Sequence, residues 1–183
     1  MDVPPFSITQ VIESEPVRKF INIAKELPMN TKIKIAATET EIRACYSLIS
    51  ELRPHLSENE FVSQILRQIQ NHHYELIYLR VNKEIVAAAG YRITEYLAWG
   101  KTLYVDDLIT RSTTRKCGYG STLLDWLIDK SKTLSCQQFH LDSGTHRHDA
   151  HRLYLTRKLQ ISSFHFSNTV ATLVRPNCPD SRH

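Results

Sequence analysis

The most chemically suggestive segment of the chain is Leu103–Trp126, with the sequence LYVDDLITRSTTRKCGYGSTLLDW. Gly118 and Gly120 lack a Cβ, so the chain can turn tightly there and its backbone N–H groups can converge on one anion. The helix predicted after this turn directs its positive end towards the same anion. Arg115 and Lys116 add positive charge, and the guanidinium fork of an arginine suits a pyrophosphate. The residues indicate either a phosphate cradle or a plain strand-to-helix turn with solvated basic side chains.

The spacing of the two glycines excludes two familiar phosphate-binding patterns. A Walker loop needs Gly-x-x-x-x-Gly-Lys-Ser/Thr, and a dinucleotide fingerprint needs Gly-x-Gly-x-x-Gly after the first strand of its unit. The run from Arg115 to Gly120 reads instead R-x-x-G-x-G.

Two adjacent carboxylates, Asp106 and Asp107, lie on the predicted strand before the turn. Successive strand side chains point to opposite faces, so we expect one of the two to face a given cleft. A carboxylate could accept the proton of an alkylammonium, whose pKa near 10.4 leaves about one molecule in 2,500 neutral at pH 7, a deficit of roughly 4.6 kcal/mol. Surface or ion-paired aspartates are the alternative.

The other potentially reactive side chains favour no metal site. His146, His148 and His151 do not share one helical face, and no nearby cysteine completes a zinc set. The chain has four widely spaced cysteines without a Cys-x-x-Cys pair: Cys45, Cys117, Cys136 and Cys178. Free thiols are therefore expected, and the thiol of Cys117 in the turn is expected to take no part in the chemistry.

The composition limits the class of protein. The 183 residues suit one domain with an extension, and 42 % are hydrophobic and 23 % charged. Lys plus Arg exceed Asp plus Glu by 23 to 19, which is too small an excess to predict a nucleic-acid partner. No stretch approaches the roughly 20 apolar residues of a membrane span, and no signal peptide is visible. We expect a cytoplasmic protein without a membrane partner.

Residues 1–30 form a predicted extension that contains a short amphipathic helix. Its apolar positions recur at helical spacing: Val17, Phe20, Ile21, Ala24 and Leu27. This stripe is expected to pack against the domain or against a second copy of the chain, so a homodimer stays open.

The remaining elements alternate between strands and helices. After a strand from Lys32, Thr38 or Thr40 caps a first helix, and Ser57 with Glu60 predicts a capping box at the start of a second helix over 56–71. Runs 75–81 and 84–92 form a hairpin through Asn82 and Lys83. The later predictions are a strand over 102–110 after a loop, helices over 119–134 and 149–159, a strand over 137–143, and a closing hairpin of 162–166 with 169–174.

The R-x-x-G-x-G run resembles the Q/R-x-x-G-x-G/A motif of the GNAT superfamily of acetyl-CoA-dependent N-acyltransferases. The downstream segment Asp149–Leu159, DAHRLYLTRKL, is similar to the family's A-x-x-L-Y-x-K-L segment. The likeness extends from about Lys32 to Phe166. It implies a mixed α/β, GNAT-like fold, with a mostly antiparallel twisted sheet of about six to seven strands flanked by helices. The domain would span 31–175, before a tail of 176–183.

The resemblance also implies roles for individual residues. Amides of the turn would hold the pyrophosphate of coenzyme A, and the strand before it would offer backbone groups to the pantetheine arm, where the family's fourth and fifth strands separate. The implied coenzyme-binding residues are Leu108, Ile109, Thr110, Arg115, Lys116, Cys117, Gly118, Tyr119, Gly120 and Ser121. Tyr154 would be the general acid for the departing thiolate and Asp106 the general base, while a backbone N–H near Leu108 would polarise the thioester carbonyl.

An acidic and aromatic loop is the predicted acceptor site, where Glu95, Tyr96 and Trp99 could receive a cation. The acceptor would be a primary amine of a small molecule, a peptide N-terminus or a lysine side chain, attacking acetyl-CoA directly. The alternative is a non-catalytic acyl-CoA sensor or partner-docking module. Two departures from the family pattern are Arg147, where relatives carry asparagine, and Gln160-Ile161, where they carry Gly-Phe.

Overall fold

A computed structural model of the chain describes residues 31–172. The strands are β1 (Thr31–Ile35), β2 (Tyr74–Val81), β3 (Glu84–Tyr96), β4 (Gly100–Thr110) and β5 (Gln138–Leu141). The helices are α1 (Glu39–Ile49), α2 (Glu58–His72), α3 (Tyr119–Thr133) and α4 (His148–Thr156), with short 3-10 helices at Ser112–Thr114 and Val170–Thr172. The predicted N-terminal helix and the tail lie outside these residues.

The chain divides into two compact units, Met1–Leu141 and Asp142–His183. In the described part of the first unit, five strands form one sheet in the order β1-β2-β3-β4-β5. The first four pair antiparallel, and β5 pairs parallel with β4. No helix among residues 31–172 is long and apolar enough to cross a membrane.

The sheet of the first unit is covered by helices on both faces. Because strand side chains alternate, Leu76 and Tyr78 of β2 join the apolar cluster of α1 and α2, whereas Ile77 and Leu79 join the cluster of α3. This two-sided burial explains why β2 is an almost continuous apolar run.

Local capping sets the ends of the two helices over the first face. Thr38 caps α1 and Ser57 caps α2, each in a complete capping box with Glu41 or Glu60. The Ser57 Oγ lies 2.6 Å from the Glu60 carboxylate. These contacts confirm the predicted starts of both helices.

The C-terminal hairpin prediction is wrong for the residues that the structure describes. Residues 162–166 form no strand, and the described part of 169–174 contains the 3-10 helix Val170–Thr172. The described sheet has five strands rather than six to seven. A short apolar run becomes a strand when a neighbour satisfies its backbone. Here the large apolar side chains of the run are exposed: Ile161, Phe164, Phe166 and Val170.

Candidate active site

A β-bulge interrupts β4 at the acidic pair. Tyr91 of β3 lies opposite Val105 and Gly90 lies opposite Asp107, which leaves Asp106 as an extra residue in β4. Both Asp106 and Asp107 line the same cavity. The expectation that the two carboxylates face opposite sides is therefore wrong, because the inserted residue breaks the alternation of the strand.

The cavity next to the bulge has a volume of about 320 Å³. One part of its wall is apolar and comes from α1, α2 and the segment between them: Ile49, Leu56, Phe61 and Ile65. Polar side chains complete the wall, namely His55, Gln64 and Gln68 together with two arginines and the acidic pair. The volume is at the lower end of the range for small-ligand sites.

Each aspartate of the bulge is paired with one arginine. Arg92 of β3 donates from Nε to both Asp106 oxygens, at 3.2 and 2.9 Å, and from Nη2 to Oδ2, while Nη2 also reaches the Gln68 Oε1 at 3.0 Å. Arg53, just after α1, donates from Nε to the Asp107 Oδ1 at 2.9 Å, and its Nη2 lies 2.7 Å from the same oxygen in an ion pair. The side chains of Asp106 and Asp107 are 20 % and 18 % exposed, so both ion pairs are partly shielded from water.

This environment changes the pKa of two side chains at the bulge. Burial raises the pKa of Asp106 above its ordinary value, and the hydrogen bonds from Arg92 oppose this increase. Burial also raises the pKa of Tyr74 well above its ordinary value, and the two nearby aspartates raise it further. Asp106 is therefore a stronger proton acceptor than an exposed aspartate, and the Tyr74 phenol stays neutral.

Gly90 keeps the bulge and Tyr74 in contact. A Cβ on Gly90 would lie 1.7 Å from the Tyr74 hydroxyl oxygen, and Tyr74 is 2 % exposed. No sequence pattern singled out Arg53, Arg92 and Tyr74, which come from the segment between α1 and α2, from β3 and from β2. The register of the β3–β4 hairpin could have placed Arg92 near the acidic pair, but the bulge that aligns them leaves no clear pattern in the sequence.

Beyond the bulge, one edge of β4 has no strand neighbour within residues 31–141. Thr102–Val105 pair with β5, which ends at Leu141. Leu108, Ile109 and Thr110 pair with β3 on the opposite edge. Within residues 31–141, β4 beyond Val105 therefore has no pairing partner on the β5 side.

The glycine turn between β4 and α3 presents backbone N–H groups. Lys116 and Gly118 adopt positive φ angles of 63° and 87°, and Gly118 is the N-cap of α3 without a side-chain capping bond. Among the described residues, the N–H groups of Gly118, Tyr119, Gly120 and Ser121 have no hydrogen-bond acceptor. Open N–H groups at the start of a helix fit a pyrophosphate.

Basic side chains flank this turn. Arg115 and Lys116 are exposed, and Cys117 is a half-buried free thiol. Open N–H donors and positive charge at one turn suit an anionic group such as a phosphate.

The predicted acceptor residues lie at the other end of the β3–β4 hairpin. Glu95 and Tyr96 belong to β3 rather than to a loop, and Tyr96 pairs with Gly100, six residues or ~20 Å along β4 from Asp106. Trp99 stacks on His140 with 4.1 Å between ring centroids. None of Glu95, Tyr96 and Trp99 lines the cavity, so the structure does not bring them together with the acidic pair.

Tyr154 lies on α4, in the second unit, and is half-buried. Burial raises the pKa of its phenol, whereas the charge of Arg147, which precedes α4, lowers it. The phenol is therefore protonated at neutral pH and able to donate a proton. Its role stays a prediction. Residues 31–172 contain no group of three or more His, Cys, Asp or Glu side chains that could hold a metal ion.

Comparisons with known proteins agree with this architecture. The model of the Acetyltransferase (GNAT) family matches residues 35–159. The chain is similar to the uncharacterized N-acetyltransferase YhdJ of Bacillus subtilis (strain 168), at 30 % identity over 139 residues, which cover 75 % of this chain and 98 % of the relative.

Solved structures share the fold at lower identity. A transcriptional regulator from Bacillus halodurans C-125 has a TM-score of 0.69 at 23 % identity, over 76 % of this chain and 99 % of the regulator. AAC(6')-Iy, in complex with the bisubstrate analogue CoA-S-monomethyl-acetylneamine, has a TM-score of 0.66 at 11 % identity, over 81 % of this chain and 99 % of that protein.

Proposed function

Because the chain belongs to the Acetyltransferase (GNAT) family, we propose that it transfers the acetyl group of acetyl-CoA to a primary amine by direct attack in a ternary complex. The observation that carries this proposal is the organisation of β4. Its bulge presents the acidic pair to a cavity, its next residues leave a backbone edge open, and the glycine turn follows. This order would set the acceptor, thioester and pyrophosphate sites one after another along β4 and the turn that follows it.

Coenzyme A would be held mainly by backbone groups. The N–H groups of 116–121 would bind the pyrophosphate, with Arg115 and Lys116 adding charge. The open edge at Leu108–Thr110 would take the pantetheine amides. Acetyl-CoA carries the acetyl group as a thioester, whose carbonyl carbon can be attacked by an amine. A backbone N–H near Leu108 would polarise that carbonyl.

Two side chains would move the protons of the reaction. Asp106 would accept a proton from the ammonium, directly or through water, and its raised pKa favours this role. The amine nitrogen then forms the bond to the carbonyl carbon, and the C–S bond breaks. Tyr154 would donate its proton to the departing thiolate and regain one from water, to which the amide nitrogen loses its second proton.

Direct attack is favoured over an acetyl-cysteine route by the position of the thiol. Cys117 lies within the glycine turn, directly before Gly118. A thiol there would be next to the pyrophosphate rather than next to the thioester, so it could not accept the acetyl group.

A non-catalytic acyl-CoA sensor is the second candidate. It is favoured by the ion pairing at the bulge, because both carboxylates that could act as a base already accept hydrogen bonds from arginines. Asp106 nevertheless retains acceptor capacity, since an ionised carboxylate has about four lone-pair sites and Arg92 makes three hydrogen bonds to it.

The test is release of free thiol from acetyl-CoA with a panel of primary amines, for the parent protein and for Tyr154→Phe. Catalysis predicts turnover with at least one amine, and a loss of kcat in Tyr154→Phe of about 10²-fold or more with coenzyme A affinity unchanged. A parent protein that binds acetyl-CoA but releases no thiol with any amine would support the sensor instead.

A further inference from the structure

The cavity beside the β4 bulge is electrically balanced. Arg53 and Arg92 face Asp107 and Asp106 in two separate ion pairs, so the four charges sum to zero. Such a cavity has no net negative field to attract a polycation. The two signs of charge are instead offered side by side on one small surface.

Each of two residues in this cavity retains an unused polar atom. Arg92 donates from Nε and Nη2, and its Nη1 has no acceptor among residues 31–172. Asp107 accepts through Oδ1, and its Oδ2 has no donor within the same described range. One cationic donor and one anionic acceptor are therefore available to a ligand, on neighbouring strands.

The opposite part of the wall is apolar. Phe61 and Ile65 of α2, together with Ile49 and Leu56, are cavity-lining residues, and three of these four side chains are nearly or fully buried. An acceptor that placed only charged groups in the cavity would leave this surface against water. The volume of about 320 Å³ suits a compact molecule with a single apolar side chain.

From these features we infer that the acceptor is a small zwitterion, a free amino acid with an apolar side chain. Its ammonium is held by the Asp107 Oδ2 beside Asp106, its carboxylate by the Arg92 Nη1, and its side chain by Phe61 and Ile65. This inference rests on the proposed function, because it names the acceptor of the same reaction.

The same geometry disfavours amines that belong to a protein. A lysine side chain or a peptide N-terminus carries no free carboxylate near its amine, so the Arg92 donor would lose water without gaining a partner. A site that hydrogen-bonds a substrate group discriminates strongly against analogues that lack this group. The carboxylate is thus the recognition element.

The experiment is titration calorimetry of the parent protein saturated with coenzyme A, using L-leucine, L-leucinamide and 3-methylbutylamine. The last two probes keep the amine and the apolar side chain but lack the carboxylate. We expect L-leucine to bind at least tenfold more tightly than either analogue. Equal or weaker binding of L-leucine, or no binding of any of the three, would overturn the inference.

Substitution of Arg92 assigns the preference to this side chain. Arg92→Gln should weaken the binding of L-leucine and leave that of L-leucinamide nearly unchanged. The ratio of the affinity for L-leucine to the affinity for L-leucinamide should then be close to one. A merely structural role for Arg92 would weaken both ligands in proportion and leave the ratio unchanged. Arg43→Gln is the matched control, because Arg43 pairs with Glu39 and Glu58 outside the cavity. If Arg92→Gln does not fold, Arg92→Lys tests the loss of the guanidinium fork alone.

Thiol release measured on the same ligands separates this inference from the proposed function. Selective binding of L-leucine without thiol release would refute acetyl transfer and retain the assignment of the ligand. Equal acetylation of L-leucine and L-leucinamide would confirm transfer and refute the assignment.

Discussion

Asp106 and Asp107 are adjacent in the sequence and serve one cavity because the bulge inserts a residue between two paired positions. Their partners differ, since Arg92 contacts both oxygens of Asp106 whereas Arg53 contacts one oxygen of Asp107. A half-buried carboxylate with a raised pKa suits proton transfer, and a carboxylate with an unused oxygen suits binding of an ammonium group. The two residues should therefore affect different kinetic constants.

Asp106→Asn removes the proposed proton acceptor while retaining the shape of the side chain. We expect kcat to fall by about 10²- to 10⁴-fold, because a positioned base contributes that much. Asp107→Asn should mainly raise KM. Steady-state thiol release measures both constants, and Asp129→Asn, on the exposed face of α3, is the control. Full kcat in Asp106→Asn would exclude this residue as the base.

The buried thiol of Cys45 makes stability depend on pH. Burial raises its pKa to about 12, whereas an unfolded cysteine titrates near 8.5. The contribution of this thiol to the free energy of unfolding is complete below pH 8.5. It is lost as the pH rises towards 12, because the cysteine of the unfolded chain releases its proton at a lower pH than the folded one. Urea unfolding from pH 7.5 to 10 should show a steeper decline for the parent than for Cys45→Ala, by up to about 1.4 kcal/mol per pH unit. Parallel declines would contradict this.

At the scale of elements, the turn between β4 and α3 requires a glycine at position 118 because of the backbone conformation there, and not because a neighbouring atom leaves no room for a side chain. Gly118 has a φ of 87°, yet a Cβ there would meet no atom within 4 Å. Gly118→Ala should therefore destabilise the fold by about 1–2 kcal/mol through conformational strain alone. It should also weaken acetyl-CoA binding, because the N–H groups of the turn would be reoriented.

The control for Gly118→Ala is a residue with a left-handed backbone conformation at the other end of α3. Ser135 has a φ of 53°, so Ser135→Gly should keep or raise stability and leave acetyl-CoA affinity unchanged. Thermal unfolding and calorimetry on both variants measure the two effects. Equal acetyl-CoA affinity in Gly118→Ala and the parent would show that the turn does not hold the pyrophosphate.

Sequence patterns predicted those elements that are fixed by local contacts. The helix cap at Thr38, the capping box at Ser57 and the Asn82-Lys83 hairpin depend on residues within a few positions of each other, and the structure confirms them. The bulge at Asp106 depends on the register with β3, which the sequence does not encode locally. The run 162–166 has apolar residues typical of a strand but lacks a described pairing partner.

At the scale of the molecule, the fold could be predicted better than the site. The R-x-x-G-x-G run and the spacing of the elements identified the family, and the family model over 35–159 confirms it. The clustering of acidic and aromatic residues in the sequence favours an acceptor site at Glu95, Tyr96 and Trp99. The cavity at the acidic pair instead combines residues from α1, α2, the segment between them, β3 and β4, which are far apart along the chain and meet in the fold.

The excess of basic over acidic residues in the chain does not predict the charge of the cavity at the bulge. The chain carries a net charge of +4, yet the two arginines and two aspartates of the cavity are balanced. The proposed recognition of a zwitterionic acceptor would therefore depend on the placement of individual charges rather than on the field of the whole molecule.

In the proposed mechanism, the turn between β4 and α3 binds the pyrophosphate of acetyl-CoA and so presents the thioester to the bulge. Titration calorimetry of the full chain with acetyl-CoA, repeated in the presence of inorganic pyrophosphate, tests it most directly. We predict saturable binding of one acetyl-CoA per chain, weakened competitively by pyrophosphate. No binding at millimolar acetyl-CoA by folded protein, or binding that pyrophosphate leaves unchanged, would contradict the claim.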